Sequence, residues 1–88
     1  MKLTFDFTSK NMMGMNYAVA LDKDVNKPVN VLKLNDTANR ILQLLQEGKQ
    51  EEEIISCMMS EYDIEEAELR NNVSAFLDQL EKEGLLER

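Results

Sequence analysis

Enzymatic proton transfer near neutral pH most often uses histidine, and this chain of 88 residues contains none. Its absence removes the commonest general base and the commonest metal ligand together. The single cysteine, Cys57, has no imidazole with which to form a thiol dyad, and it reads as a small packing residue on the flank of a helix. The stretch DKDVNK begins like a calcium loop with Asp22, Asp24 and Asn26. Lys27 then stands where the sharp turn requires glycine, and Lys33 where a bidentate glutamate belongs, so a polar hairpin turn is the better reading. The triplet Glu51, Glu52 and Glu53 cannot converge on one ion, because sequence neighbours on a helix point in different directions; acid at a helix start explains it. Met12, Met13 and Met15 offer soft thioethers to copper, but without Cys or His beside them they read as hydrophobes anchoring a loop. The triplets NDT at Asn35 and NVS at Asn72 match glycosylation acceptors only by coincidence, in a helical context without a signal peptide. Gly14, Gly48 and Gly84 are too scattered for a phosphate loop. No catalytic group, cofactor or metal is expected.

The elements that must position any binding surface are legible in the periodicity. Residues 1–34 read as a three-stranded antiparallel meander: LTFDF alternates Leu3, Phe5 and Phe7, NYAVALD alternates Tyr17, Val19 and Leu21, and PVNVLKL is rich in β-branched and apolar residues. The segment SKNMMG, with Asn11 and Gly14, separates the first two strands; DKDVNKP, with Asp22, Asp24, Asn26 and strand-opening Pro28, separates the next two. From Asn35 the period becomes helical. Ala38, Ile41, Leu42 and Leu45 share one face, with Asn35 as N-cap and Gly48 as stop. A second helix opens at Glu51–Glu53, carries Ile54, Ile55, Met58, Met59 and Tyr62, and frays near Asp63. In a third, Asp63 and Glu66 have capping-box spacing, Leu69, Val73, Phe76, Leu77 and Leu80 form the stripe, and Gly84 ends it before Leu85 and Leu86 turn back to the core. The expected architecture is a single α+β, winged-helix-like domain over residues 1–88, with its sheet in 1–34 and its helices in 35–83.

Composition narrows the partners. No stretch resembles a signal peptide or a membrane span, which places the protein in the cytoplasm and away from membranes. Residues 1–34 carry five basic against three acidic side chains, whereas residues 35–88 carry five against fourteen. A helix-turn-helix reading of residues 36–83 would put the third helix into a DNA groove. That helix holds Glu65, Glu66, Glu68, Asp78, Glu81 and Glu83 against only Arg70 and Lys82, and phosphates would repel it. No nucleic-acid partner is expected, although a winged-helix nucleic-acid-binding protein, or a scaffold pairing with itself through a free strand edge, is the alternative class.

The succession LKLNDTANRILQLLQEGKQEEEII, then NNVSAFLDQLEKEGLLE, resembles the PqqD-like family, named for pyrroloquinoline-quinone biosynthesis protein D. The likeness lies in LN plus TA opening helix one, IL and Gly48 near its end, EEI in helix two, and the V..FL..L...GLL pattern of helix three. Asn72 stands where the family often has Asp, and Lys49 and Gln50 precede helix two in place of the usual Thr or Ser. The resemblance implies a non-catalytic recognition domain for ribosomally made, modified peptides. In such domains the leader of a precursor peptide adds antiparallel to the third strand, beside helix three, and is presented to a modifying enzyme, commonly a radical S-adenosylmethionine protein. The quinone pathway is one of several the family serves.

Transferred to this chain, the resemblance makes the peptide-binding strand Val29, Asn30, Val31, Leu32, Lys33 and Leu34, with Leu32 and Leu34 facing the helices and anchoring the strand. On helix three, Arg70, Ser74, Leu77 and Glu81 form one flank of the apolar stripe. Leu77 is expected to take a leader hydrophobe and Arg70 or Glu81 to read charge; alternatively, Leu77 only widens the core stripe. The protein is expected to be a monomer or a weak homodimer.

Overall fold

The computed structural model describes residues 1–22, 24–25 and 27–88. Asn26, assigned above to the turn and to the calcium-like DKDVNK, lies outside the described residues. The element order is β1 (Lys2–Leu3), β2 (Asp6–Met12), β3 (Met15–Leu21), β4 (Pro28–Leu34), α1 (Asp36–Gln46), α2 (Glu51–Glu61), α3 (Glu66–Lys82) and β5 (Leu86–Glu87). This is an α+β fold: a three-stranded antiparallel sheet in the order β2-β3-β4, followed by three helices, with β1 and β5 forming a separate two-stranded antiparallel sheet.

The sheet departs from the sequence reading at its first strand. LTFDF does not run as one strand: Lys2 and Leu3 pair with Glu87 and Leu86, the chain bends at Thr4 and Phe5, and β2 takes up residues 6–12. Thr4 fixes the bend by donating its amide to the Leu85 carbonyl at 3.0 Å and its hydroxyl to the Gly84 carbonyl at 2.7 Å. The segment SKNMMG is therefore mostly strand, and its turn shrinks to Met13 and Gly14 at φ 54° and 80°. Two successive positive φ values match the twist of the flanking strands in a two-residue hairpin. The tip carries Met12, Met13 and Met15, of which Met13 is fully exposed. These methionines do not anchor a loop, because all three are exposed to solvent.

Sheet faces follow the pairing register. Phe7, Ala18, Ala20, Leu32 and Leu34 are buried against the helices. Tyr17, Val19 and Leu21, the larger residues of β3, lie half-buried on the opposite face. Two alanines at the centre of the inner face let the helices approach the sheet closely. Burial of Leu32 and Leu34 gives β4 the inward-facing anchors its alternation predicts.

Helix ends are built by local bonds. The Asn35 side chain accepts the Ala38 amide at 2.8 Å, capping α1 directly after Leu34. Gly48 and Gly84 follow α1 and α3 in the left-handed region at φ 87° and 75°. Paired bonds close both ends: Lys49 to Leu44 and Gly48 to Leu45 at α1, Leu85 to Leu80 and Gly84 to Glu81 at α3. At α2 the Gln50 amide donates to the Glu53 carboxylate at 2.9 Å. The Asp63 capping box does not form; α3 begins at Glu66 with Glu65 as its N-cap and no side-chain bond there. Ile64 packs against the core in the extended segment before the helix, which leaves Asp63 too far upstream to cap it. Ile54, Ile55 and Met58 carry the buried face of α2, with Met59 and Tyr62 more exposed at its margin, and Cys57 packs half-buried at its flank. All five residues of the α3 stripe are buried, as are Leu85 and Leu86 beyond it. Among the described residues, no helix is long and apolar enough to cross a membrane.

Candidate functional site

β4 is an edge strand, paired with β3 on one side only. Every second residue of such a strand aims its amide and its carbonyl away from the sheet, unpaired. The pairing is regular from Asn30 to Leu34, opposite Ala20 to Asn16. It shifts at the strand's start, where Leu21 pairs with Pro28 and Val29 is the extra residue. A guest strand therefore finds five residues of regular edge.

That same stretch forms one wall of a groove of about 580 Å³. Asn35, Thr37, Ala38 and Ile41 of the β4–α1 junction line it, and α3 supplies Asn72, Ala75, Phe76, Gln79 and Glu83. The floor is apolar, with Ile41 at 1% and Phe76 at 8% exposure beside Leu32 and Leu34. Side-chain amides dominate the rim, and among the described residues Lys33 and Glu83 are the only charged ones lining the groove. At the other edge of the sheet a second groove, of about 470 Å³, touches only the first two residues of β2, Asp6 and Phe7, and is otherwise lined by Met1, Lys2, Leu3, Phe5 and the end of α1 with Gly48, so it does not run along the strand edge.

The junction that opens this groove is held tightly. Asn16 of β3 donates to the Asp36 carboxylate at 2.8 Å, and Asn11 donates to Asn16 at 3.0 Å, tying the first residue of α1 to the hairpin. At the far end of α1, Gln46 donates to the Phe7 carbonyl at 3.1 Å. With no loop between Leu34 and the cap at Asn35, the edge and the helices hold a fixed spacing.

On helix α3 the structure differs from the sequence reading. At about 100° per residue, Asn72, Ala75, Phe76, Gln79 and Glu83 occupy one side of the stripe, and Arg70, Ser74, Leu77 and Glu81 the other. Leu77 has no exposure and lies in the core. It widens the stripe and cannot seat a guest residue in this conformation. Arg70 donates to both carboxylate oxygens of Glu52 at 2.9 and 3.0 Å and to Glu66 at 2.8 Å, facing α2. These bonds raise the Arg70 pKa and lower that of Glu52. Ser74 is half-buried and Glu81 exposed, both outside the groove. The extra apolar residue marks the flank that packs on α2, and the open flank shows instead a small residue, Ala75, between amides. Within β4, Asn30 to Leu34 line the groove, while Val29 is exposed at the shifted register.

Among the described residues no ion pair involves a residue lining the groove. The remaining ion pairs, Arg40–Glu61 at 2.7 Å and Arg88–Asp78 at 2.8 Å, lie outside the groove. Among the described residues no cluster of three or more His, Cys, Asp or Glu is arranged to hold a metal ion. What remains is a surface suited to an extended polypeptide: an unpaired backbone edge, an apolar floor and amide-rich walls.

Comparison with known proteins bears on this geometry. Residues 18–86 match the family model for coenzyme PQQ synthesis protein D, PqqD. No curated protein matches the sequence significantly. Among solved structures, TbiB1 in complex with the TbiA(β) leader peptide is 26% identical, superposes with a TM-score of 0.74, and is matched over 99% of this chain and 95% of its own. Lasso peptide synthetase B1 complexed with the leader peptide is 22% identical, with a TM-score of 0.70 over 99% and 96% of the two chains, a likeness that shows the fold alone.

Proposed function

The chain belongs to the PqqD family, and from that premise we propose that it captures the leader of a ribosomally made precursor peptide by strand addition at β4. The observation that carries the reading is the coincidence of the regular, unpaired β4 edge, Asn30–Leu34, with one wall of the groove. It is supported by the 26% identical TbiB1, whose structure holds a leader peptide. A guest strand lies antiparallel to β4, draws affinity from main-chain hydrogen bonds, and seats alternate side chains on Leu32, Ile41 and Phe76. The protein works as a non-catalytic, cytoplasmic carrier. It presents the peptide to a modifying enzyme, of the radical S-adenosylmethionine type as for the PqqD family, or to another peptide-modifying enzyme.

A nucleic-acid-binding function is not favoured. α3 is acidic, and Arg70, the cation nearest its start, is engaged by Glu52 and Glu66. The test is a heteronuclear NMR titration of labelled protein with the leader half of a precursor peptide encoded beside this gene. Amide shifts concentrated in residues 30–34 and in α3 at Asn72–Glu83 are expected. Saturable binding that leaves these amides unmoved would overturn the groove assignment.

A further inference from the structure

The groove has a direction, and its ends differ in charge. Asp6 pairs with Leu21 and Leu21 with Pro28, so the starts of β2 and β4 lie together. The bonds from Thr4 to Gly84 and Leu85 bring the end of α3 to that corner. At the other corner Thr37, three residues past β4, lies beside Ile64 and Leu69 at the start of α3. Helix α3 therefore runs antiparallel to β4, with Glu83 at the Asn30 end and Asn72 at the Leu34 end. The lengths agree: Asn72 to Glu83 spans about 16 Å of helix and Asn30 to Leu34 about 14 Å of strand.

A guest antiparallel to β4 then runs parallel to α3, its C-terminal residues approaching Glu83. Its inward side chains lie opposite Leu34, Leu32 and Asn30, in that order along the guest. The middle one meets the apolar floor of Leu32, Ile41 and Phe76. The last meets Gln79 and Glu83, beside the negative end of the α3 dipole. Glu83 makes no ion pair among the described residues. Lys33 is near the opposite end of the strand, on its exposed outer face, and does not neutralise it. The remaining polar lining residues are amides, asparagines and glutamine, and a threonine, none of which selects charge.

From this placement we infer that the groove selects leader segments in which an apolar residue is followed two positions later by lysine or arginine, the cation held by Glu83. The inference rests on the strand-addition reading and names the class of client it admits. A displayed library of random 12-residue peptides, selected against the wild-type protein and against Glu83→Lys, tests it without knowledge of the natural client. Wild-type selections are expected to align on apolar-x-Lys/Arg. A synthetic peptide from that alignment should lose at least tenfold in affinity to Glu83→Lys and recover when its basic residue is changed to glutamate. The chain carries a net charge of -7 and attracts cations generally, so Glu47→Lys, an exposed C-cap change of equal charge away from the groove, serves as control. Equal weakening by Glu47→Lys and Glu83→Lys overturns the inference, as do selected peptides that shift the amides of residues 30–34 yet show no basic preference. If no selected peptide shifts those amides, the strand-addition reading itself fails.

Discussion

Filling the groove without touching the core separates guest capture from folding, and Ala75→Trp does this. Ala75 is exposed, lines the groove beside Phe76, and is absent from the buried core. An indole there occupies the space above the apolar floor, where an inward leader side chain would otherwise be buried. Losing the burial of one Leu- or Phe-sized side chain removes about 1.5–3 kcal/mol. That corresponds to a roughly ten- to hundred-and-fifty-fold weaker Kd. A surface substitution of this kind changes stability by at most about 0.5 kcal/mol, or about 2–4 °C in Tm for a domain of this size. Fluorescence anisotropy with a labelled leader peptide measures the first quantity and a circular-dichroism melt the second. The chain has no native tryptophan, so the indole emission also reports how far the new side chain is shielded from water. Affinity within twofold of wild type, with the melt unchanged, would refute the placement of the guest over Phe76.

Three further substitutions or conditions have expected outcomes. Leu77→Ala leaves a cavity at a position with no exposure and is expected to destabilise by about 2–5 kcal/mol in denaturant titration, while the molecules that remain folded bind leader with unchanged affinity. Asn35→Ala removes the α1 cap bond to Ala38 and should cost about 1 kcal/mol, visible as a lower Tm, with Asn35→Gly losing only a few tenths. Arg70 and Arg40 hold Glu52 and Glu61 below the ordinary carboxylate range through hydrogen bonds. Their contribution to stability is complete above the unfolded carboxylate pKa and is lost as pH falls through the depressed folded values. Thermal melts should therefore drop on acidification below about pH 4.5, and the Glu52→Gln, Glu61→Gln double variant should drop less steeply over the same range.

Periodicity carried the sequence reading where one face decides burial. The α3 stripe, the β4 anchors Leu32 and Leu34, and the glycine stops at Gly48 and Gly84 were all legible, because each depends on residues adjacent along one element. The first strand was not, because its split depends on a partner at the far end of the chain: Lys2 and Leu3 pair with β5, and Thr4 bonds to Gly84 and Leu85. No local pattern in LTFDF records that pairing. Alternation in β3 gave the strand but did not say which face meets the helices; the small Ala18 and Ala20 do, and the larger Tyr17, Val19 and Leu21 lie opposite. The groove flank of α3 failed for a related reason. A helical wheel assigns Leu77 and Ala75 to opposite sides of the stripe but does not say which side meets α2. Only the packed structure, with Arg70 bonded to Glu52, resolves the handedness. The sequence left Leu77 as either a seat for a guest hydrophobe or a widening of the core stripe, and its burial fits the second.

Strand addition has a signature that other modes of binding lack: it protects alternate residues. In free β4, the amides that face β3 are already hydrogen-bonded, while those between them face solvent. Native-state hydrogen exchange across residues 30–34, with and without leader peptide at about one hundred times its Kd, reads this directly. At that concentration the outward amides are expected to exchange about a hundredfold more slowly than in the free protein, on every second residue, with the α2 surface unchanged. Uniform slowing along β4, or protection confined to helices with the outward β4 amides still exchanging freely, would contradict capture of the guest as a fourth strand.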